Sequence, residues 1–127
     1  MSAKTEKSVA LIVGAGDATG GAIAKRFAGE GFQVVLTRRK AESLNNLTNE
    51  IKTNGGIAHP FGVDARREEE VVPFIEKIER EIGPIEAAVY NVGGNVRFGI
   101  HETTSRVFFK VWEMCCFGGF LMGREVS

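Results

Sequence analysis

The chain has 127 residues, 43% of them hydrophobic and 25% charged, a length that suits one domain with a packed core, and we expect no separate substrate domain. Its 16 basic residues balance 16 acidic residues without long runs of one sign, which argues against a nucleic-acid or acidic membrane surface. We therefore expect the partner to be a small molecule or another protein.

The first predicted unit is a buried strand followed by a glycine-rich turn and a helix. Residues 1–8 are predicted to be a flexible N-terminus that precedes a single domain over 9–127. Residues 9–13 are apolar at every position, as in a strand covered on both faces. This run is too short for a signal-peptide core or a membrane span, so we expect a soluble, cytoplasmic protein. Glycines over 14–21 end the strand, and helical spacing of apolar residues continues to 29–31.

A second strand–helix unit and a third strand come next. Residues 33–37 are the second predicted strand, and the helix from about Ala41 ends at Asn54-Gly55-Gly56. One face of that helix carries Leu44, Leu47 and Ile51. The third strand, 57–63, contains His59-Pro60, which predicts that its first part is either an edge position in the sheet or irregular.

The remaining elements are two helices around a fourth strand. Residues 68–82 are predicted to be helical with Pro73 in the first turn, where proline is tolerated. The fourth strand, 87–91, is nearly all apolar, and a loop leads to a last helix from Thr104 to about Glu125. In the helix over 68–82, the residues predicted to face the core are Val71, Val72, Ile75, Ile78 and Ile82. This alternation of strands and helices predicts an α/β fold in three layers, α/β/α, whose parallel sheet has about four strands and right-handed crossovers.

The glycine-rich turn after the first strand is typical of a phosphate-binding site. Residues 14–21 read Gly-Ala-Gly-Asp-Ala-Thr-Gly-Gly, and the absence of side chains lets the backbone approach an anion closely. The free N–H groups and positive dipole end of the next helix complete such a site. Glycines also serve tight turns and close helix packing, but their position between a buried strand and an amphipathic helix favours a bound dinucleotide pyrophosphate.

The end of the second strand indicates which dinucleotide is bound. NAD-selective sites place a carboxylate there, against the 2′-hydroxyl of the adenosine ribose. This sequence has Arg38, Arg39 and Lys40 instead, and guanidinium groups suit a 2′-phosphate in charge and geometry. We therefore predict NADP(H) rather than NAD(H). The alternative is that the three cations form only a solvated surface.

These motifs resemble those of the short-chain dehydrogenase/reductase family, over the N-terminal half of its fold. The family's Thr-Gly-x-x-x-Gly-x-Gly falls on residues 13–20, with Val13 for the threonine and Ala18 for the middle glycine. The resemblance implies a Rossmann-type sheet of order 3-2-1-4, truncated before the later strands. Asp64 lies where the family binds the adenine amino group, and a cap for the helix that begins near Glu68 is a second role, compatible with the first. Asn91 matches a residue that ties strands together.

Motif and resemblance together assign the cofactor site. The backbone of Ala65 is implied to contact the adenine, and Val92-Gly93 to line the nicotinamide-ribose side. The predicted cofactor-binding residues are Gly14, Gly16, Asp17, Ala18, Thr19, Gly20, Arg38, Arg39, Asp64, Ala65, Asn91, Val92 and Gly93.

The family's proton-transfer residues have no counterpart in the sequence. Its catalytic tyrosine, followed four residues later by lysine, is expected beyond residue 127. The one tyrosine present is Tyr90, and Gly94 lies four positions after it. Cys115 falls where the family has a helical asparagine. The resemblance thus implies an oxidoreductase of alcohols or carbonyl compounds by ancestry, with no catalytic residue assigned here; the alternative is a non-catalytic cofactor-binding or subunit-interaction module.

Two surfaces predict association with a second copy. Strand four lies at an open edge of the implied sheet, and an apolar edge invites pairing. The last helix carries large apolar residues around much of its circumference. We predict a homo-oligomer through either surface. The adjacent Cys115 and Cys116 are poorly placed for a disulfide or a metal site and are predicted to be buried apolar residues.

Overall fold

The computed structural model describes residues 8–94 and 96–127 and contains a parallel sheet with the order β3-β2-β1-β4. The strands are β1 Val9–Val13, β2 Gln33–Arg38, β3 Ile57–Gly62 and β4 Ile85–Tyr90. The first helices are α1 Thr19–Gly29, α2 Asn45–Thr53 after a 3₁₀ turn Ala41–Leu44, and α3 Glu68–Lys77, which continues as a π-helical turn Ile78–Ile82. The last helix consists of α4 Ser105–Trp112, a π-helical turn Glu113–Phe117 and α5 Gly118–Val126. The predicted three-layer α/β fold and strand order are confirmed.

The central strand β1 is fully buried because helices cover both faces of the sheet. Successive side chains of a strand point to opposite faces, so Val9, Leu11 and Val13 pack on one side, with α3 and α5. Ala10 and Ile12 pack on the other side, with α1 and α2. The uninterrupted apolar run in β1 thus reflects two cores that share one strand.

Parallel pairing brings the carboxyl ends of three strands together. Val13, the last residue of β1, lies in register with Thr37 of β2 and Tyr90 of β4. The chain continues this pairing beyond the strands, since the backbone N–H of Gly14 donates to the Thr37 carbonyl at 3.0 Å and that of Asn91 donates to the Val13 carbonyl at 2.7 Å. The residues that follow β1, β2 and β4 therefore meet at one edge of the sheet.

Both outer strands lie where the sequence places them. β3 pairs with β2 and carries Pro60 on the edge of the sheet. β4 pairs with β1, and its Glu86 and Ala88 are exposed. Among the described strands, β4 thus presents an open edge, as predicted. It begins at Ile85, earlier than the predicted start at residue 87.

Several local predictions need correction. Pro73 lies inside α3 rather than in its first turn, where it costs the helix one N–H donor. Residues 1–7 of the predicted flexible N-terminus lie outside the described residues, whereas Ser8 is buried and its hydroxyl donates to Glu86 at 2.6 Å. Cys115 and Cys116 are exposed, not buried. The reason is that the last helix buries only the side on which Leu121 and Met122 face the sheet.

The last helix leaves large apolar side chains in solvent. Phe108, Phe109, Trp112 and Phe120 are 60%, 61%, 46% and 57% exposed. Trp112 stacks on Phe117, and Phe117 stacks on Phe120, so these three rings form one row, while Phe108 and Phe109 form a separate edge-to-face pair. Within the described part of the chain, no helix is both long and apolar enough to cross a membrane.

Candidate functional site

A cleft of about 430 Å³ lies at the carboxyl ends of the strands. In open α/β sheets this edge is where ligands bind. Every residue predicted to bind the cofactor lines the cleft. These are Gly14, Gly16, Asp17, Ala18, Thr19, Gly20, Arg38, Arg39, Asp64, Ala65, Asn91, Val92 and Gly93.

The turn after β1 and the start of α1 require glycine at three positions, Gly14, Gly20 and Gly21, where an added Cβ would overlap a backbone carbonyl oxygen. Gly14 has a φ of 87°, and a Cβ there would overlap the Asn91 carbonyl. A Cβ on Gly20 would overlap the Gly14 carbonyl. The N-cap of α1 is Ala18, which makes no side-chain capping bond, so the N–H groups of the first turn face the cleft without a capping side chain. The turn therefore has the form of a cradle for an anion.

Of the three cations at the end of β2, Arg38 lies over this turn. Arg38 is exposed at the end of β2, and its Nη1 lies 3.6 Å from the position that a Cβ on Gly16 would occupy. Arg39 also lines the cleft, and its charge contributes to lowering the pKa of Asp64. Lys40, which the sequence grouped with the two arginines, is not among the lining residues. The positive charge of the cleft at this end thus comes from Arg38 and Arg39.

Asp64 is held by an arginine that was not predicted to belong to the site. Arg66 donates from Nε to Oδ1 at 2.9 Å and from Nη2 to Oδ2 at 2.8 Å, and its backbone N–H donates to Oδ1 at 3.1 Å. These bonds hold the pKa of Asp64 below its ordinary value. The predicted role of Asp64 as a helix cap is wrong, because the N-cap residue of α3 is Arg67 and no side-chain capping hydrogen bond is formed at this helix end.

Asn91 connects β4 to the glycine turn. Its backbone N–H bonds to the Val13 carbonyl, and its side-chain Nδ2 donates to the Gly14 carbonyl at 3.4 Å. Both bonds fix the place where β1 turns into the cleft. Asn91 thus has the geometry expected of a residue that ties strands together.

Tyr90 joins the sheet to the last helix. Its hydroxyl donates to the Met114 carbonyl at 2.5 Å, within the π-helical turn Glu113–Phe117. A side chain that bonds to a helix carbonyl is a common cause of such a local distortion. Burial of the hydroxyl, with smaller effects of charge on Cys115 and Asp64, raises the pKa of Tyr90 to about 12.

We expect Tyr90→Phe to lower the free energy of unfolding by about 1 kcal/mol at neutral pH, because the Met114 carbonyl loses its hydroxyl donor. The ordinary pKa of 10 rises to about 12 on folding, so the protonated hydroxyl stabilises the folded chain fully below about pH 10. This contribution is lost as the pH rises toward 12. Urea unfolding of both proteins should therefore show their difference shrinking above pH 10; a constant difference would contradict the assignment.

The structure also shows which other side chains reach the cleft and which lie outside it. Arg97, His101 and Glu102 belong to the loop after β4, and none of them lines the cleft. Met114 reaches the cleft from the last helix, and no local sequence signal marks it. Among residues 8–94 and 96–127, no group of three or more His, Cys, Asp or Glu residues is arranged to hold a metal ion.

The geometry agrees with the family that the sequence resembles. A sequence model described as short chain dehydrogenase matches residues 8–127, nearly the whole chain. The chain belongs to the short-chain dehydrogenase/reductase family. It is 32% identical over 123 residues to the 2,3-dihydro-2,3-dihydroxybenzoate dehydrogenase of Bacillus subtilis, a match that covers 96% of this chain and 47% of that enzyme.

Solved structures of this family have the same fold. A short-chain dehydrogenase from Rhodopseudomonas palustris is 47% identical, with a TM-score of 0.89, over 94% of this chain and 56% of its own. A metagenomic short-chain oxidoreductase in complex with NADP is 26% identical, with a TM-score of 0.89, over 94% of this chain and 54% of its own. The chain thus spans about half the length of these family members.

Proposed function

We propose that the cleft binds NADP(H) and that the chain supplies the nucleotide-binding part of an oxidoreductase acting on alcohol or carbonyl compounds. The position of Arg38 carries this proposal, because its guanidinium Nη1 lies 3.6 Å from the Cβ position of Gly16. One cleft therefore presents both a glycine cradle and a cation at the end of β2. NADP(H) would supply or accept the hydride, which is the part of the chemistry that a cofactor contributes.

The residues present fit this cofactor. The glycines let β1, β4 and α1 pack closely around the turn, because a Cβ on Gly14 or Gly20 would overlap a backbone carbonyl, and the N-terminus of α1 favours an anion such as a pyrophosphate. Arg38 and Arg39 stand where an NAD-selective site has a carboxylate. In support, a relative with the same fold was solved with NADP.

Calorimetric titration of the purified chain with NADPH and, separately, NADH tests the proposal. We expect micromolar binding of NADPH and much weaker binding of NADH, because Arg38 and Arg39 would pair with the 2′-phosphate. Competition by 2′,5′-ADP but not by 5′-AMP would locate the preference at the adenosine ribose. Equal binding of both dinucleotides would contradict the NADP(H) assignment, and the absence of heat with either would contradict the cofactor site.

A second candidate is a non-catalytic module that binds the cofactor or pairs with other subunits. Tyr90 favours it, because a general acid or base works best with a pKa near the operating pH, whereas the pKa of Tyr90 is about 12. Its hydroxyl is also engaged with the Met114 carbonyl. Cofactor binding without NADPH oxidation across a panel of aldehydes and ketones would support this candidate. The homo-oligomer and the cytoplasmic location stay predictions.

A further inference from the structure

A part-buried ion pair lies at one end of the cleft. The side chains of Arg66 and Asp64 are 24% and 18% exposed, and both residues line the cleft. The contact is bidentate, with Nε on one carboxylate oxygen and Nη2 on the other. Such a pair fixes the orientation of the carboxylate more strictly than a single bond does.

The pair leaves little of the carboxylate free. An ionised carboxylate offers about four acceptor positions. Arg66 fills both positions on Oδ1, with its backbone N–H and Nε, and one position on Oδ2. Within the described residues, a single acceptor position on Oδ2 is left for a ligand. Because the pKa of Asp64 is lowered, the group is ionised at neutral pH and only accepts hydrogen bonds.

The pair also removes an electrostatic obstacle. A dinucleotide phosphate is strongly anionic, and an unpaired carboxylate in the cleft would repel it. Arg66 neutralises this charge at a distance of 2.8 Å while leaving the acceptor position in place. The site therefore combines an acceptor for a neutral donor group with a local net charge near zero.

We propose that Arg66 is a positioning residue that makes Asp64 select adenine over bases with a carbonyl at the same position. This inference rests on the proposed dinucleotide site and on the adenine contact that the family resemblance implies for Asp64; the new element is the role of Arg66. The exocyclic amino group of adenine donates one hydrogen bond to the free position on Oδ2. Hypoxanthine has a carbonyl oxygen instead, which the carboxylate oxygen repels. Arg66 thus acts on base selection through Asp64, without contacting the base itself.

The test compares the dissociation constants of NADPH and its hypoxanthine analogue. For the wild-type chain we expect NADPH to bind about 10-fold or more tightly than the analogue, as for one hydrogen bond to a charged group. In Arg66→Gln this ratio should fall at least about threefold, because the carboxylate is no longer held in one orientation toward the base. The unpaired negative charge of Asp64 should also weaken the binding of both ligands. Asp64→Asn should abolish the preference, because the amide NH₂ can donate to the hypoxanthine carbonyl.

Matched variants separate this role from a structural one. Arg67→Gln is the control, because Arg67 is the neighbouring arginine, is exposed and pairs with Glu69 and Glu70 rather than with Asp64. It should keep the wild-type ratio. Arg66→Lys should keep part of the affinity by preserving the charge, but lose part of the preference because lysine cannot bond to the carboxylate through a guanidinium fork.

The outcomes distinguish this inference from the proposed function. An Arg66→Gln chain that binds both ligands less tightly by the same factor would overturn the inference and leave the dinucleotide site intact. A selective loss of NADPH relative to NADH would also overturn it, since Arg66 would then act on the 2′-phosphate. A wild-type chain that binds neither ligand would remove the proposed function and the inference together. Circular dichroism and urea midpoints verify that each variant is folded.

Discussion

Replacement of Gly14 by alanine is expected to lower the free energy of unfolding by about 2–5 kcal/mol. One part is conformational, because Gly14 has a φ of 87° and an L-residue in such a conformation costs about 1–2 kcal/mol. The other part is steric, because the new methyl group would overlap the Asn91 carbonyl. Urea denaturation followed by circular dichroism measures the loss, and a folded fraction of the variant should have a distorted cradle and little affinity for NADPH.

Two other glycines serve as matched controls for this result. Gly55 has a φ of 88° and no atom within 4 Å of its Cβ position, so Gly55→Ala should show only the conformational cost of about 1–2 kcal/mol. Gly29 ends α1 and has equally open space around it, so Gly29→Ala should stabilise the chain slightly. If Gly14→Ala is no more destabilising than Gly55→Ala, the contact between the turn and Asn91 carries no energy.

Replacement of Arg38 and Arg39 by alanine is expected to abolish the preference for NADPH. Each guanidinium that bonds to a 2′-phosphate contributes about 1.5–3 kcal/mol, so each single variant should weaken NADPH binding about 10- to 100-fold. NADH lacks the phosphate, and its dissociation constant should change little. Calorimetric titration of both dinucleotides with the single and double variants measures the two effects.

Lys40→Ala is the control for this experiment. Lys40 follows the two arginines directly but does not line the cleft. The Lys40→Ala variant should therefore keep the wild-type ratio of NADPH to NADH affinity. In the wild-type chain, added salt should reduce this ratio because screening weakens exposed charge pairs. A loss in Lys40→Ala as large as in Arg38→Ala would mean that the basic segment acts only through its overall charge.

The sequence determines the parts of the fold that depend on local pattern. The apolar run of β1 requires helices on both faces of the sheet, and the glycines after it require a turn with no side chains. Pro60 restricts β3 to an edge, since proline cannot donate to a second neighbouring strand. Because these signals lie within one element or its immediate flank, strand order and the cofactor cleft were predictable from the sequence and the resemblance.

Tertiary structure alone decides which side chains complete the site. Met114 and Tyr90 come together because the last helix crosses the end of β4, and their bond spans 24 residues. Arg38 and Arg39 line the cleft and Lys40 does not. This difference likewise depends on the direction in which each side chain leaves the end of β2.

The same limit explains the predictions that failed. Cys115 and Cys116 were predicted to be buried because a free cysteine behaves as a small apolar residue. They are exposed because the last helix has more apolar residues than its contact with the rest of the fold can bury. The pairing of Asp64 with Arg66, which the motif did not indicate, likewise depends on the loop between β3 and α3. Local sequence specifies backbone form and periodicity, whereas burial and side-chain pairing depend on which elements pack together, and only the folded chain defines that.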